Sequence, residues 1–130
     1  RWPGMIKAGS ETDHISAFWD VLPTLCELAG QPAPEGIDGI SFVPTLLDRE
    51  QQQHKYLYWE YKGKRDNMGA QAVRMRQWKG IQVGPKFQLY NVVDDIGESK
   101  NLASAYPEVV SQLKAAIEEA HFESELFPLK

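Results

Sequence analysis

Asp94, Asp95 and Glu98 stand close together in LYNVVDDIGESKNLA, residues 89–103. Carboxylates so grouped could cage a hard cation or share a proton. A calcium loop of the EF-hand kind needs oxygen ligands at alternating positions and a Glu near the twelfth, a spacing that DDIGESKN does not supply. No His or Cys lies nearby to build a transition-metal site. Adjacent side chains on an extended segment point to opposite sides, which is poor geometry for a shared proton. The expectation is therefore a connector between a strand and a helix. Asp94 or Asp95 caps the turn, Gly97 takes a positive φ, and Asn101 fixes the bend.

A second stretch, YLYWEYKGKRDN, residues 56–67, joins Tyr58, Trp59, Glu60, Lys62 and Arg65. Stacking faces mixed with charges suit recognition of a charged ring compound. The same residues also read as an aromatic sheet strand followed by a solvated loop. His14, just before the first helix, is either a further contact to a ligand or a hydrogen-bonded structural side chain. Arg74 and Arg76 are expected to be solvated or paired with carboxylates. His54 and His121 have no partner pattern and receive no role. Cys26 lies on an apolar helix face and reads as a small core residue.

These residues must be positioned by elements whose signatures change along the chain. Apolar side chains at 15, 18, 19, 22, 25, 26 and 29 mark one helical face. Asp20 is the expected N-cap, its carboxylate accepting a free backbone N–H, with Pro23 in the first turn and Gly30 closing the helix. That wide apolar face needs a partner surface. Asp38-Gly39 signals a turn. Phe42, Val43, Leu46 and Leu47 form a short buried helical turn, and residues 48–53 a solvated loop.

From His54 onward, KYLYWEYK, AQAVRMR, KGIQV and FQLYNV are short, aromatic or β-branched segments divided by Gly, Asn, Asp or Lys. They predict a four-stranded antiparallel sheet with Val73 and Met75 on one side, Arg74 and Arg76 on the other, and a corner at Gln77-Trp78-Lys79. YPEVVSQLKAAIEEAH has apolar residues at 106, 109, 110, 113, 116, 117 and 120, an amphipathic helix capped by Ser104 with Pro107 in its first turn. The fold class is α+β: a small antiparallel sheet packed by a C-terminal helix. The tail FESELFPLK is apolar enough to pack back.

Bulk properties narrow the function classes. With 130 residues, 42% hydrophobic and 25% charged, the chain suffices for one domain and is short for two. A net charge of -4 argues against nucleic acid or an anionic membrane as partner. The single cysteine excludes an internal disulfide, and no apolar run approaches the ~18 residues of a membrane span. Arg1-Trp2-Pro3-Gly4 has no signal-peptide profile and reads as the continuation of an upstream segment, so a fragment is expected.

Five segments, in order, carry a resemblance. LYNVVDDIGESKNLASAYPEVVSQLKAAI is similar to the pattern that ends many sulfatases: Leu-Tyr-Asp-Leu, an Asp-Pro-x-Glu turn, Asn-Leu, and a helix beginning near Pro-Glu. Asn91 stands where Asp is usual, and Ile96 where Pro is usual. DVLPTLCELAG, IDGISFVPTLL, AVRMRQWKGI and RWPG resemble the family's Asp-Leu-x-Pro-Thr-Leu helix, Leu-Asp-Gly-x-Ser loop, Ala-Val-Arg-x-x-x-Trp-Lys hairpin and Trp-Pro-Gly region.

The resemblance implies that residues 1–50 are the last helical and loop elements of a sulfatase large α/β domain, and residues 54–130 its C-terminal subdomain. It implies hydrolysis of sulfate esters of glycans or aryl sulfates, by a formylglycine nucleophile and a Ca²⁺ ion held upstream. Here no Cys/Ser-x-Pro-x-Arg occurs: Cys26 precedes Glu27-Leu28-Ala29, and the Ser41 and Ser104 segments have the wrong spacing. No catalytic or metal residue is therefore assigned. The chain alone is expected to be inactive and to self-associate through Phe18, Trp19 and Leu22. Substrate contact is assigned to Trp59, Glu60, Lys62, Arg65 and His14. Family habit implies an exported bacterial or lysosomal-type enzyme. The alternatives are a related phosphodiesterase or phosphonate hydrolase, and a stand-alone carbohydrate-binding or interaction module.

Overall fold

The computed structural model describes residues 1–62, 69–126 and 128–129. It divides into two compact units, Arg1–His54 and Lys55–Lys130.

In the first unit a 3₁₀ turn, Phe18–Asp20, runs into helix α1, Val21–Leu28, and a second short helix, α2, spans Val43–Leu46. Pro23 sits in the first turn of α1, where it removes no helical hydrogen bond. Asp20 occupies the N-cap position, yet its side chain makes no cap bond to α1. The carboxylate instead accepts the Ala17 N–H (2.7 Å) and, from the far side, the Ile40 N–H (2.9 Å). A partner in the preceding turn and a distant one, Ile40, outcompete the cap of α1, and the side chain is fully buried. Thr24 Oγ1 donates to the Asp20 carbonyl and accepts the Phe42 N–H, tying the same loop to the helix. At Gly39 a Cβ would collide with the Trp19 carbonyl oxygen, so only glycine lets this loop approach.

The apolar stripe of α1 is uncovered, as a face that needs a partner surface should be: Phe18 is 89% exposed, and Leu22, Leu25 and Leu28 are also exposed. Cys26 is half-buried rather than enclosed. The buried turn expected after the loop is α2, where Val43 is buried. Within the loop at 48–53, Gln51 is organised. Its carbonyl accepts from the Thr45 N–H and hydroxyl, while its amide donates to the Ser41 carbonyl.

The second unit is a four-stranded antiparallel meander of β1, Leu57–Lys62; β2, Gly69–Met75; β3, Trp78–Val83; and β4, Lys86–Asn91, in sequence order. Helix α3, Pro107–Ala120, covers one face. Side chains alternate across the sheet, so Val73 and Leu89 meet Leu113, Ala116 and Ile117 of α3 in a buried cluster. Full burial of side chains such as Leu89 and Leu113 stabilises by about 1.5–3 kcal/mol each. The helix can descend because Gly80 has no side chain: a Cβ there would stand 2.6 Å from Phe87 Cζ and 3.1 Å from Leu113 Cδ1.

Several turn details differ from expectation. Met75 pairs with Trp78, so the corner is Arg76-Gln77, and Arg76 adopts φ +54° there instead of continuing the strand. Tyr106, not Ser104, occupies the N-cap of α3, and its side chain makes no cap bond. Beside β4, the Leu89 N–H donates to Asn101 Oδ1 while the Leu102 N–H donates to the Leu89 carbonyl. The chain thus supplies one rung of pairing along this edge. In the tail, Leu129 lies against Gly69, whereas Phe122 and Leu126 are exposed.

Candidate functional site

Strand alternation divides the β1 residues proposed for ligand contact. Tyr58, Glu60 and Lys62 share the face of Val73, on which α3 packs, while Trp59 and Tyr61 project from the opposite face. Arg65 lies outside the described residues. His14 belongs to the first unit, where it lines an open groove with Glu11, Asp13, Arg49 and Gln51. Its backbone N–H donates to Thr12 Oγ1, and its Nδ1 is enclosed with no hydrogen-bond partner among the described residues.

Glu60 is already engaged. It accepts from the Tyr58 hydroxyl, to which the Gln71 amide donates at 2.7 Å, and it lies 2.5 Å from His121 Nδ1. His121 Nε2 faces Glu123 at 3.3 Å. His121 is the C-cap of α3, so the cluster ties the end of the helix to strand β1. Burial would raise the Glu60 pKa, but the bonds from Tyr58 and His121 outweigh it and hold the carboxyl below its usual range. The bond to Glu60, aided by Glu123, raises the His121 pKa. Burial and the Glu60 bond push the Tyr58 hydroxyl upward, so it remains a donor.

A second carboxylate–imidazole pair joins His54 Nε2 to Asp20 Oδ1 at 2.9 Å within the first unit. Burial acts to raise the Asp20 pKa, and the N–H groups of Ala17 and Ile40 with His54 reverse it, leaving it lowered. Thr24 Oγ1 is occupied by two backbone partners, so the pair activates no hydroxyl and serves as a fastening. Neither histidine carries a local signature: Asp20 lies 34 residues from His54, and Glu60 lies 61 from His121.

The acidic stretch between β4 and α3 is a connector. Asp95 accepts from the Lys100 N–H (2.9 Å) and the Ser99 hydroxyl (3.1 Å), bonds that lower its pKa. Asn91 donates to Asp94, and Asn101 Oδ1 also accepts the Ala103 N–H. The left-handed residue is Glu98 (φ +53°) rather than Gly97, which the bonds around Asp95 place one position later. Lys79 fixes Glu98 at 2.5 Å. Arg74 donates to the Arg76 carbonyl. Among the described residues, no three His, Cys, Asp or Glu side chains gather as a metal-holding group. No helix among them is long and apolar enough to cross a membrane.

Comparison with known proteins places this arrangement. Residues 1–123 match the family model of the C-terminal region of N-sulphoglucosamine sulphohydrolase. Arylsulfatase K of Canis lupus familiaris is 30% identical over 124 residues, an alignment covering 85% of this chain and 23% of that protein. A Delta 4,5-hexuronate-2-O-sulfatase of Bacteroides thetaiotaomicron is 30% identical over 126 residues, covering 90% of this chain and 26% of the relative. A solved structure in complex with its substrate, D-glucosamine-2-N,6-O-disulfate, superposes with a TM-score of 0.78 at 26% identity, over 92% of this chain and 26% of the other. The chain thus spans about a quarter of the length of these relatives. A meander under one helix, the ordered sequence segments and the match along residues 1–123 have one common source: this chain belongs to the sulfatase family and corresponds to its C-terminal region.

Proposed function

We propose that these residues complete a sulfatase that hydrolyses sulfate esters of glycans. Residues 1–50 would finish its large α/β domain, and residues 54–130 form its C-terminal subdomain. The observation that carries the reading is the match of residues 1–123 to a sulfatase C-terminal family. The glycan substrate class is supported by relatives named for a hexuronate sulfate and for a glucosamine disulfate complex. The exposed stripe of Phe18, Leu22, Leu25 and Leu28 supports a partner surface supplied by upstream residues.

The residues of this chain do not fit formylglycine or Ca²⁺. Cys26 lacks the Pro and Arg of the modification motif, and the described side chains form no carboxylate cage. We assign both groups to upstream sequence, where an aldehyde hydrate would supply the nucleophile and the cation would bind developing charge. This chain's part is to support that centre and to contribute substrate contacts, assigned to Trp59, Glu60, Lys62, Arg65 and His14. The phosphodiesterase and stand-alone module alternatives are not favoured, because the family and the relatives above are sulfatases.

The test joins this chain to its upstream coding sequence and measures sulfate release from a sulfated glycan with Ca²⁺ present. Release by the joined protein and none by these 130 residues alone is the expected result. An upstream Thr nucleophile with two zinc sites and phosphoester hydrolysis would overturn it.

A further inference from the structure

The sheet face turned away from α3 is buried at Leu57 and Tyr90 and open towards its other end. Trp59 and Tyr61 project from it, 39% and 68% exposed. Their cross-strand partners are Ala72 and Ala70, side chains too short to cover an aromatic ring. Following the register across, the rung that starts at Tyr61 ends at Lys86, and that of Trp59 ends at Gln88; both end residues are exposed. Arg74 lies one rung beyond Trp59, half-buried. Among the described strand residues none on this face is acidic, although the chain carries a net charge of -4, and Glu98 reaches the face only at Lys79. Alternate residues on one strand lie about 7 Å apart and neighbouring strands about 4.8 Å apart. Rings and cations therefore occupy an area suited to a short oligosaccharide.

We infer that this face binds a sulfated saccharide, its rings stacking on Trp59 and Tyr61 and its sulfate groups meeting Lys86 and Arg74. Aromatic faces take up the C–H side of a sugar ring, and the cations complement sulfate oxygens. A neutral sugar would leave those cations unused. The sulfated class rests on the sulfatase reading above, whereas the stacking rests only on register and exposure.

The experiment titrates the ¹⁵N-labelled chain with a heparin-derived hexasaccharide and with its chemically desulfated counterpart. Affinity is read by calorimetry and the Trp59 indole N–H by NMR. The sulfated sugar should move the Trp59 resonance. Desulfation, Tyr61→Ala and Trp59→Phe with Lys86→Ala should each weaken binding about tenfold, with spectra that remain dispersed. Absent binding overturns the proposal, as does binding that leaves the Trp59 signal and the Tyr61→Ala affinity unchanged, the mark of a non-specific polyanion contact. Loss of self-association in Tyr61→Ala without sugar binding overturns it too, in favour of a protein interface. Sulfate release by the joined protein is scored separately. Release without binding here removes only this face, and binding without release removes only the sulfatase reading.

Discussion

Lys55–Lys130 closes around Val73, Leu89, Leu113, Ala116 and Ile117, all buried and all apolar, whereas Arg1–His54 is organised around a carboxylate. In the first unit Val43 and Pro23 are buried, and Asp20 gathers Ala17, Ile40 and His54. An apolar cluster shares its stabilisation among many weak contacts and loses it in proportion to the atoms removed. A polar node behaves otherwise, because removing its centre leaves several buried donors unsatisfied together. The two units should therefore fail differently.

The sharpest break is expected from Leu113→Ala, which empties a fully buried site in the second unit. About 3–4 kcal/mol should be lost, seen as a lower denaturant midpoint and early exchange of β2 and β4 amides. Asp20→Ala attacks the other unit and should cost about 2–3 kcal/mol through its orphaned donors. The Ala17 and Ile40 amides should lose protection while the sheet amides keep theirs. If both variants melt both units together, the distinction between them fails. Gly39→Ala should cost about 1–3 kcal/mol by forcing the Ile40 loop away from the Trp19 carbonyl. Its amide shifts would resemble those of Asp20→Ala.

The smallest effect is pH-dependent and distinguishes the two histidine fastenings. Glu60 has a lowered pKa, so its contribution is complete above 4.5 and disappears as pH falls through its folded value. His121 has a raised pKa, so its contribution is complete below 6.5 and is lost as pH rises through its folded value. The clasp between β1 and α3 is thus strongest between pH 4.5 and 6.5. Asp20 instead loses its contribution only as pH falls below 3.8. Melting profiles of the wild type and His121→Gln should diverge at pH 5–6 and converge in alkali, while an NMR titration places the His121 ring. An unchanged profile in the variant removes the clasp.

What could be read from the chain beforehand was whatever depends on near neighbours. Short aromatic or β-branched runs divided by turn residues predicted all four strands, and the spacing from Val109 to Ile117 predicted α3. The connector at Asp94-Asp95 was legible because its hydrogen bonds stay within a few residues. The misreading at the start of α1 arose where distant groups outbid a local one: Asp20 is taken by Ile40 and His54. Within the candidate site, the separation of Trp59 from Glu60 and Lys62 follows from odd and even numbering, so it was present in the strand assignment. The partners of Glu60 and His121 were not, because no sequence signal joins positions so far apart.

The bonds that Leu89 makes to Asn101 and Leu102 bear on the behaviour of the protein at high concentration. A bare outer strand offers a row of donors and acceptors on which a second molecule can template itself. Here the returning chain occupies that row at its centre, so growth of a continuous intermolecular ribbon past β4 is interrupted by the polypeptide itself.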